Sequence, residues 1–548
     1  EELPRIRFIT RDGTRAVAST GKPYEALISW DGAYQDLFLI NTLDGSRRLA
    51  LKGLRGNATN SPGGRYLVYF GADSHWHSLD VLTLQDRALT AGLQAAFADE
   101  EWDKPEPAPA YGLAGWTEGD REVLLYDRCD LWRVAADGSG AACVTGGLGR
   151  ASGVQLRLVR LDSEEEHVPA GKRLLFSALD LETCATGFYA GELSGLERPR
   201  RLIMREARFG SPVKAKAAER LFFSLSSFRD FPDLWTADME FREPRRLTRA
   251  NPQQDGFLWG SAEHVRWRSA DGRPLRGILI KPDGFDAARK YPMVIYFYER
   301  RSQTLHNHVV PEAGTTPNFA VYASNGYLVF VPDIVYREGY PGESCLACLM
   351  PGVLSLVEKG FVDPKGIGIS GHSWGGYQVA WLVTRTDLFA AAVAGAPVSN
   401  MFSAYGGIRW STGMSRAFQY EKEKSRIGGT PWEYPLRYLE NSPIFFADKV
   451  RTPLLMLHND QDGAVPWYQG IEYFTALRRL GREVYLFNYN GEGHTLGRRA
   501  NKLDWSERML EFFDHHLRGK PAPEWMTRGV PFAERELEKA RRAQARRI

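Results

Sequence analysis

Residues 366–386 read "GIGISGHSWGGYQVAWLVTRT". "GIGIS" has the apolar character of a buried strand, and "YQVAWLVTRT" has that of a helix. Between them lies G-x-S-x-G, with Ser373 at its centre and Gly371 and Gly375 on either side. That five-residue motif is weak by itself. In a strand–turn–helix setting it is the nucleophile elbow, where a sharp turn lifts a serine to the edge of a parallel sheet. Glycine is wanted two residues to each side because the turn crowds the backbone, and Gly376 lets the helix pack closely. The helix start then directs amide N–H groups at a developing oxyanion.

Working outward, the text on both sides alternates apolar runs with helical stretches. The runs are "YPMVIYFYE" from Tyr291, "GYLVFVPDIV" from Gly326, "FAAAVAGAPV" from Phe389, "TPLLMLH" from Thr452 and "EVYLFNY" from Glu483. Continuous apolar strands separated by helices imply a mostly parallel sheet covered on both faces. This character begins near residue 262 and runs to 548, after a polar, turn-rich linker at "TRANPQQDGFLWG".

A serine hydroxyl needs a base to attack an acyl carbon. In α/β-hydrolases the acid and then the histidine follow on loops after later strands. "TPLLMLHNDQDGAVPW" places Asp460 and Asp462 past one buried strand, and "EVYLFNYNGEGHTLG" places His494 past the next. Other histidines read as structural. His458 sits at a strand end, and His515 and His516 lie in an amphipathic helix. His306 and His308 form an isolated H-x-H without a carboxylate pair.

The first part, residues 1–255, has another grammar. Strand–turn–strand phrases recur: "DLFLINTLDGSRRLA", "HSLDVLTLQDRALT", "DLWRVAADGSGAACVT", "GFYAGELSGLERPRRL" and "DLWTADMEFREPRRLT". Their matching apolar residues, Leu37, Leu79, Leu131, Phe188 and Leu234, are 42, 52, 57 and 46 residues apart. That period, with several strands per unit, predicts about five β-propeller blades. Closed propellers usually have more blades. The opening "EELPRIRFITRDG" also runs straight into strand-like text, so upstream sequence is expected to have been removed.

Bulk composition narrows the rest. Hydrophobic residues are 43% and charged residues 25%, ordinary for a soluble globular protein. The net charge of +3 gives no sign of a nucleic-acid partner. No apolar run is long enough to span a membrane, and the first residues carry no signal-peptide core. The compartment stays open, as does self-association into a homo-oligomer. Five cysteines, Cys129, Cys143, Cys184, Cys345 and Cys348, read as structural. The C-x-x-C at Cys345 lacks the second ligand pair of a zinc site. The basic tail that ends the chain reads as a solvated helix face.

Around Ser373 the string "GHSWGGY", the D-x-x-V-P pattern of "DQDGAVP" and "GEGH" resemble the prolyl oligopeptidase family of serine peptidases. The resemblance implies an α/β-hydrolase domain with a β-propeller and a Ser373, Asp462, His494 triad. D-x-x-V-P selects Asp462 over Asp460. It further implies an oxyanion hole made by the Trp374 amide and the Tyr298 hydroxyl. Tyr298 falls at the C-terminal end of a parallel strand, where such crevices form, while Tyr296 should face the core. Tyr405, in "APVSNMFSAYGG", becomes a wall for the substrate side chain. Glu100 and Glu101 become a clamp for a free substrate amine. Where the family often grips a substrate carbonyl, two residues after the acid, this chain has Ala464, which puts proline specificity in doubt. The implied reaction is hydrolysis of short peptides through an acyl-enzyme, with no metal or organic cofactor. A carboxylesterase and a non-catalytic propeller scaffold are the alternatives.

Overall fold

A computed structural model describes residues 3–545. The first expected domain, 1–255, starts outside that range, and the second, 262–548, ends outside it with the tail's last basic residues, Arg546 and Arg547. The chain divides into two compact units: Glu1–Pro252 with His306–His308, and Gln253–Leu305 with Val309–Ile548.

The first unit holds five successive antiparallel meanders, which are the blades of the expected propeller. They span residues 5–55, 59–88, 113–143, 154–205 and 208–246; the fifth has one extra short strand. Period-2 alternation decides which blade each side chain meets. Leu67 and Leu79 of the second blade pack with Val17 and Leu37 of the first. Their neighbours Tyr66 and Val68 turn to Trp116 and Val123 of the third. Leu124 joins the third blade to Phe176 of the fourth, and Leu175 joins the fourth to Phe223 of the fifth.

Two of the recurring phrases close on themselves. In "DLWRVAADGSGAACVT" the last residue, Thr145, donates its hydroxyl proton to the first, Asp130, at 2.6 Å. Thr248 does the same to Asp233 at 2.8 Å. The hairpin turns use aspartate as a local acceptor: Asp44 takes the Ser46 amide, Asp80 those of Leu82 and Thr83, and Asp137 that of Ser139.

The second unit is built on an eight-stranded sheet. Its strands are β1 (Ser261–Arg268), β2 (Pro274–Lys281), β3 (Tyr291–Tyr296), β4 (Leu328–Pro332), β5 (Val362–His372), β6 (Ala391–Gly395), β7 (Leu454–Leu457) and β8 (Val484–Phe487). The spatial order is β1-β2-β4-β3-β5-β6-β7-β8. β1, β2 and β4 pair antiparallel, and every pair from β4–β3 to β7–β8 is parallel. The opening hairpin β1–β2 is an addition to the sequence reading. The polar alternation of β1 marks an edge strand, unlike the fully buried β4, β6 and β7.

Helices cover both faces. On one lie α1 (Pro341–Glu358), α2 (Trp374–Leu382) and α3 (Tyr468–Arg479), whose Leu349, Val353, Tyr377 and Tyr473 join a single core with β3 to β8. On the other lies α4 (Arg499–Arg518). Gly368 of β5 makes room for it, because a Cβ there would stand 2.6 Å from the Phe513 ring. The propeller and α/β-hydrolase fold class is therefore as expected. Among the described residues, no helix is long and apolar enough to cross a membrane.

Candidate active site

β5 ends at His372, between β3 and β6, and α2 begins at Trp374. Ser373 alone makes the turn, with φ 59° and ψ −117°. Backbone of this kind is held by its surroundings rather than by preference. Here the Ser373 amide donates to the Gly395 carbonyl at 2.8 Å, and its own carbonyl accepts the Tyr377 amide at 2.9 Å. The flanking glycines follow from close approach. A Cβ on Gly371 would lie 2.3 Å from the Gly375 carbonyl oxygen, on Gly375 2.5 Å from that of Phe297, and on Gly376 2.2 Å from that of Gly395.

The loops after β7 and β8 bring Asp462 and His494 together. Asp462 Oδ2 lies 2.7 Å from His494 Nδ1. Its Oδ1 accepts the amides of Ala464 and Val465 at 2.9 and 2.8 Å. Burial alone would raise this carboxyl's pKa. Hydrogen bonding to His458 and His494 overcomes that and holds it well below the usual carboxylate range. The two loops are laced to each other: Asn459 donates to the Gly493 carbonyl and accepts the Tyr489 amide. Buried Glu492 takes the amides of Gly497 and Arg498 and the Asn501 side chain, which fixes the chain just past His494. Asp460 belongs to this lacing, accepting the Gly491 amide and donating its own to Asn488.

His494 reaches the elbow through the residue beside the serine. The rings of His372 and His494 lie 4.8 Å apart, centroid to centroid. The His494 side chain is 26% exposed, while the Asp462 side chain is at 1%.

Tyr298 stands two residues beyond β3. A Cβ on Gly375 would be 3.6 Å from its ring, so the ring lies over the elbow. Its carbonyl accepts the Tyr336 hydroxyl at 2.8 Å and the Gln378 amide at 3.0 Å. Tyr336 in turn accepts from Gln378 and from the Trp374 indole N–H at 3.1 Å. One buried network thus ties the segment bearing Tyr298 to the first turn of α2. Trp374 is the first helical residue there, so its amide has no acceptor within the helix. Tyr296, by contrast, is buried against Phe319.

Tyr405 packs edge-on against Tyr438 and beside exposed Trp432, and donates its hydroxyl to Glu421 at 2.7 Å. Ala464, the position without a carbonyl grip, has its own carbonyl held by the fully buried Arg416. Glu100 and Glu101 belong to the first unit. Glu100 takes both terminal nitrogens of Arg150, at 3.2 and 3.0 Å, and Glu101 takes Arg128 at 2.7 Å. Among the described residues, no cluster of His, Cys, Asp and Glu is arranged to hold a metal.

Sequence reasoning missed several residues that hold this site. His458, read as a core histidine, is buried and donates toward the Val465 carbonyl at 3.0 Å, with Asp462 Oδ2 3.5 Å away. Its place four residues before the acid was the available signal. His372 was passed over as part of the motif. Burial first, and His494 second, push its pKa down to about 3, so it is a neutral wall for the His494 ring. Tyr336 and Gln378 gave no pattern of their own. Neither did Lys424, whose ammonium meets the Tyr298 hydroxyl at 2.9 Å.

Comparisons with known proteins agree on the fold. The chain is 25% identical over 362 residues to the uncharacterized peptidase YuxL of Bacillus subtilis, covering 62% of this chain and 52% of that protein. It is 24% identical over 311 residues to dipeptidyl-peptidase 5 of Porphyromonas endodontalis, covering 52% of this chain and 42% of the relative. The chain therefore spans about half the length of the curated relatives it matches. The crystal structure of Porphyromonas gingivalis dipeptidyl peptidase 4 superposes with a TM-score of 0.65 at 15% identity, over 92% of this chain and 73% of that one. Residues 315–520, which contain Ser373, Asp462 and His494, match the prolyl oligopeptidase family.

Proposed function

We propose that the chain is a serine peptidase that hydrolyses peptide bonds through an acyl-enzyme. The observation that carries the reading is the 2.7 Å contact between Asp462 and His494, with the His494 ring against the residue preceding Ser373. In this reading Ser373 Oγ turns to His494 Nε2 and attacks the acyl carbon as that nitrogen takes its proton. The same nitrogen then protonates the leaving amine, and a second round with water frees the acid. Asp462 keeps Nδ1 protonated and stabilises the imidazolium. The Trp374 amide and the Tyr298 hydroxyl take the oxyanion. A preorganised donor of this kind contributes about 3–4 kcal/mol in comparable sites.

Tyr405 lines the side-chain pocket in this reading. The names of the relatives support a peptide substrate. The role of Glu100 and Glu101 as an amine clamp is a separate matter, because each already holds a guanidinium. A substrate ammonium would have to compete with Arg150 and Arg128.

The test is a peptide-library digest read by mass spectrometry, with wild type and Ser373→Ala side by side. Loss of cleavage by about 10⁴-fold or more in the variant, at unchanged thermal stability, is the expected result. Retained cleavage removes Ser373 from the mechanism. Matched ester substrates in the same assay separate a peptidase from an esterase. N-blocked and free peptides compared in wild type and Glu101→Ala test the clamp.

A further inference from the structure

We propose that Lys424 is a positioning residue for the oxyanion hole, acting through Tyr298. The inference rests on the serine-peptidase reading above and adds a group to it. A phenol that serves an oxyanion must spend its single proton on the substrate. Its oxygen then needs a donor from elsewhere to fix the direction of that proton. Lys424 Nζ is that donor, 2.9 Å from the Tyr298 hydroxyl oxygen. An ammonium has no lone pair, so the sense of the bond is fixed: lysine gives, tyrosine receives. The phenol proton is left to point away from Lys424.

The placement of Lys424 is built rather than incidental. It lies three residues past a short helix, Ala417–Glu421, in a segment pinned by the Ser425 amide on the Gln419 carbonyl at 3.0 Å. Arg426, 2% exposed, donates to the Lys424 carbonyl at 2.7 Å. The same guanidinium meets Glu299, the residue after Tyr298, at 3.0 Å. It also lies 4.0 Å from the ring centre of Tyr336, whose hydroxyl holds the Tyr298 carbonyl. Arg426 thus ties the backbone bearing Lys424 to the backbone bearing Tyr298. It does so from φ 52°, a left-handed conformation that a residue with a side chain adopts only under constraint. Main chain and side chain of Tyr298 are therefore both held, one by Tyr336 and Gln378, the other by Lys424.

Two effects follow. The bond removes the rotational freedom of the hydroxyl, so the donor is aimed before substrate arrives. The positive charge beside the phenol oxygen strengthens its O–H as a donor at the moment negative charge develops on the substrate. A lysine that merely stacked on the ring, which its 4.9 Å distance to the ring centre also allows, would do neither.

The experiment is a double-mutant cycle in the full chain, using a peptide that wild type cleaves. Lys424→Met is expected to lower kcat about 10- to 100-fold with KM within about twofold. In a Tyr298→Phe background the same change should lower it by less than about twofold, since there is no hydroxyl left to aim. Lys424→Arg, which keeps a charged donor, should recover most of the rate. Thermal unfolding midpoints of all variants should agree. An equal fall in both backgrounds, or an unchanged kcat in Lys424→Met, overturns the role of Lys424 while leaving the triad untouched. Full turnover in Tyr298→Phe alone removes the hydroxyl from the mechanism and Lys424 with it. Turnover surviving Ser373→Ala would instead sink the peptidase reading itself.

Discussion

The two units of this chain solve the burial problem in opposite ways. Among the described residues, the first spreads its apolar side chains over thin layers, each shared by two neighbouring blades. The second gathers strands β3 to β8 and the helices on one face into one continuous core. A thin layer depends on its nearest neighbours, as in any repeat protein. A continuous core holds groups from distant parts of the sequence to a fixed geometry. Ser373, Asp462, His494 and Tyr298 all stand on loops leaving that core, at the same edge of its parallel strands. A site that needs sub-ångström agreement between residues 298 and 494 belongs on the unit whose packing is cooperative throughout.

This contrast can be broken by mutation. Met456 and Leu124 are both fully buried, in β7 and in the third blade. Met456→Ala and Leu124→Ala should each cost about 2–5 kcal/mol. Hydrogen exchange should register the first change across all of β3 to β8. The second should be felt in the third and fourth blades, with the first and fifth nearly unaffected. Equal loss across every blade would show that the propeller layers are not independent.

Glycines sharpen the same comparison. Gly45, in a blade hairpin, has φ 72° and no atom within 4 Å of a would-be Cβ. Gly376 needs no unusual φ, yet its Cβ would meet the Gly395 carbonyl oxygen at 2.2 Å. Gly45→Ala should cost about 1 kcal/mol, the penalty for left-handed backbone. Gly376→Ala, although alanine favours helices, should cost about 1–3 kcal/mol or more and disturb the elbow. The measurement is the denaturation midpoint of each variant, with activity followed alongside. If Gly45→Ala is the more harmful, close packing is not what sets the second unit apart.

The smallest effect is in acid. His372 is buried and neutral, with its pKa pushed down to about 3. Below pH 6.5 the unfolded chain takes up a proton that the folded one does not, so stability is lost as pH falls from there toward 3. The expected loss is about 1 kcal/mol between pH 6.5 and 5.5. His372→Gln should flatten that slope when unfolding is followed against pH. An unchanged slope would mean that other groups carry it.

Much of the molecule was legible in its text. Strand–turn–strand phrases named the last two strands of every blade, because the alternation that fills a thin layer is local. The elbow was legible for a similar reason: strand, glycines and helix lie within some twenty residues. The hairpin β1–β2 was missed, since the polar alternation of its edge strand β1 resembles the blades that precede it. Tyr336, Gln378 and Lys424 were missed because each acts through a partner far along the chain, and no spacing announces such a pair.

The sequence by itself determined the order of elements, the fold class and the residue types able to carry acyl-transfer chemistry. These follow from periodicity, turn chemistry and side-chain reactivity, all short-range properties. Only the tertiary structure decided which partners hold those residues. It set His494 against His372, let His458 as well as His494 hold the Asp462 carboxyl down, and brought an ammonium from residue 424 to a phenol at residue 298. Such meetings depend on how β3 to β8 pack into one core, and packing is a property of the whole unit that no single stretch encodes.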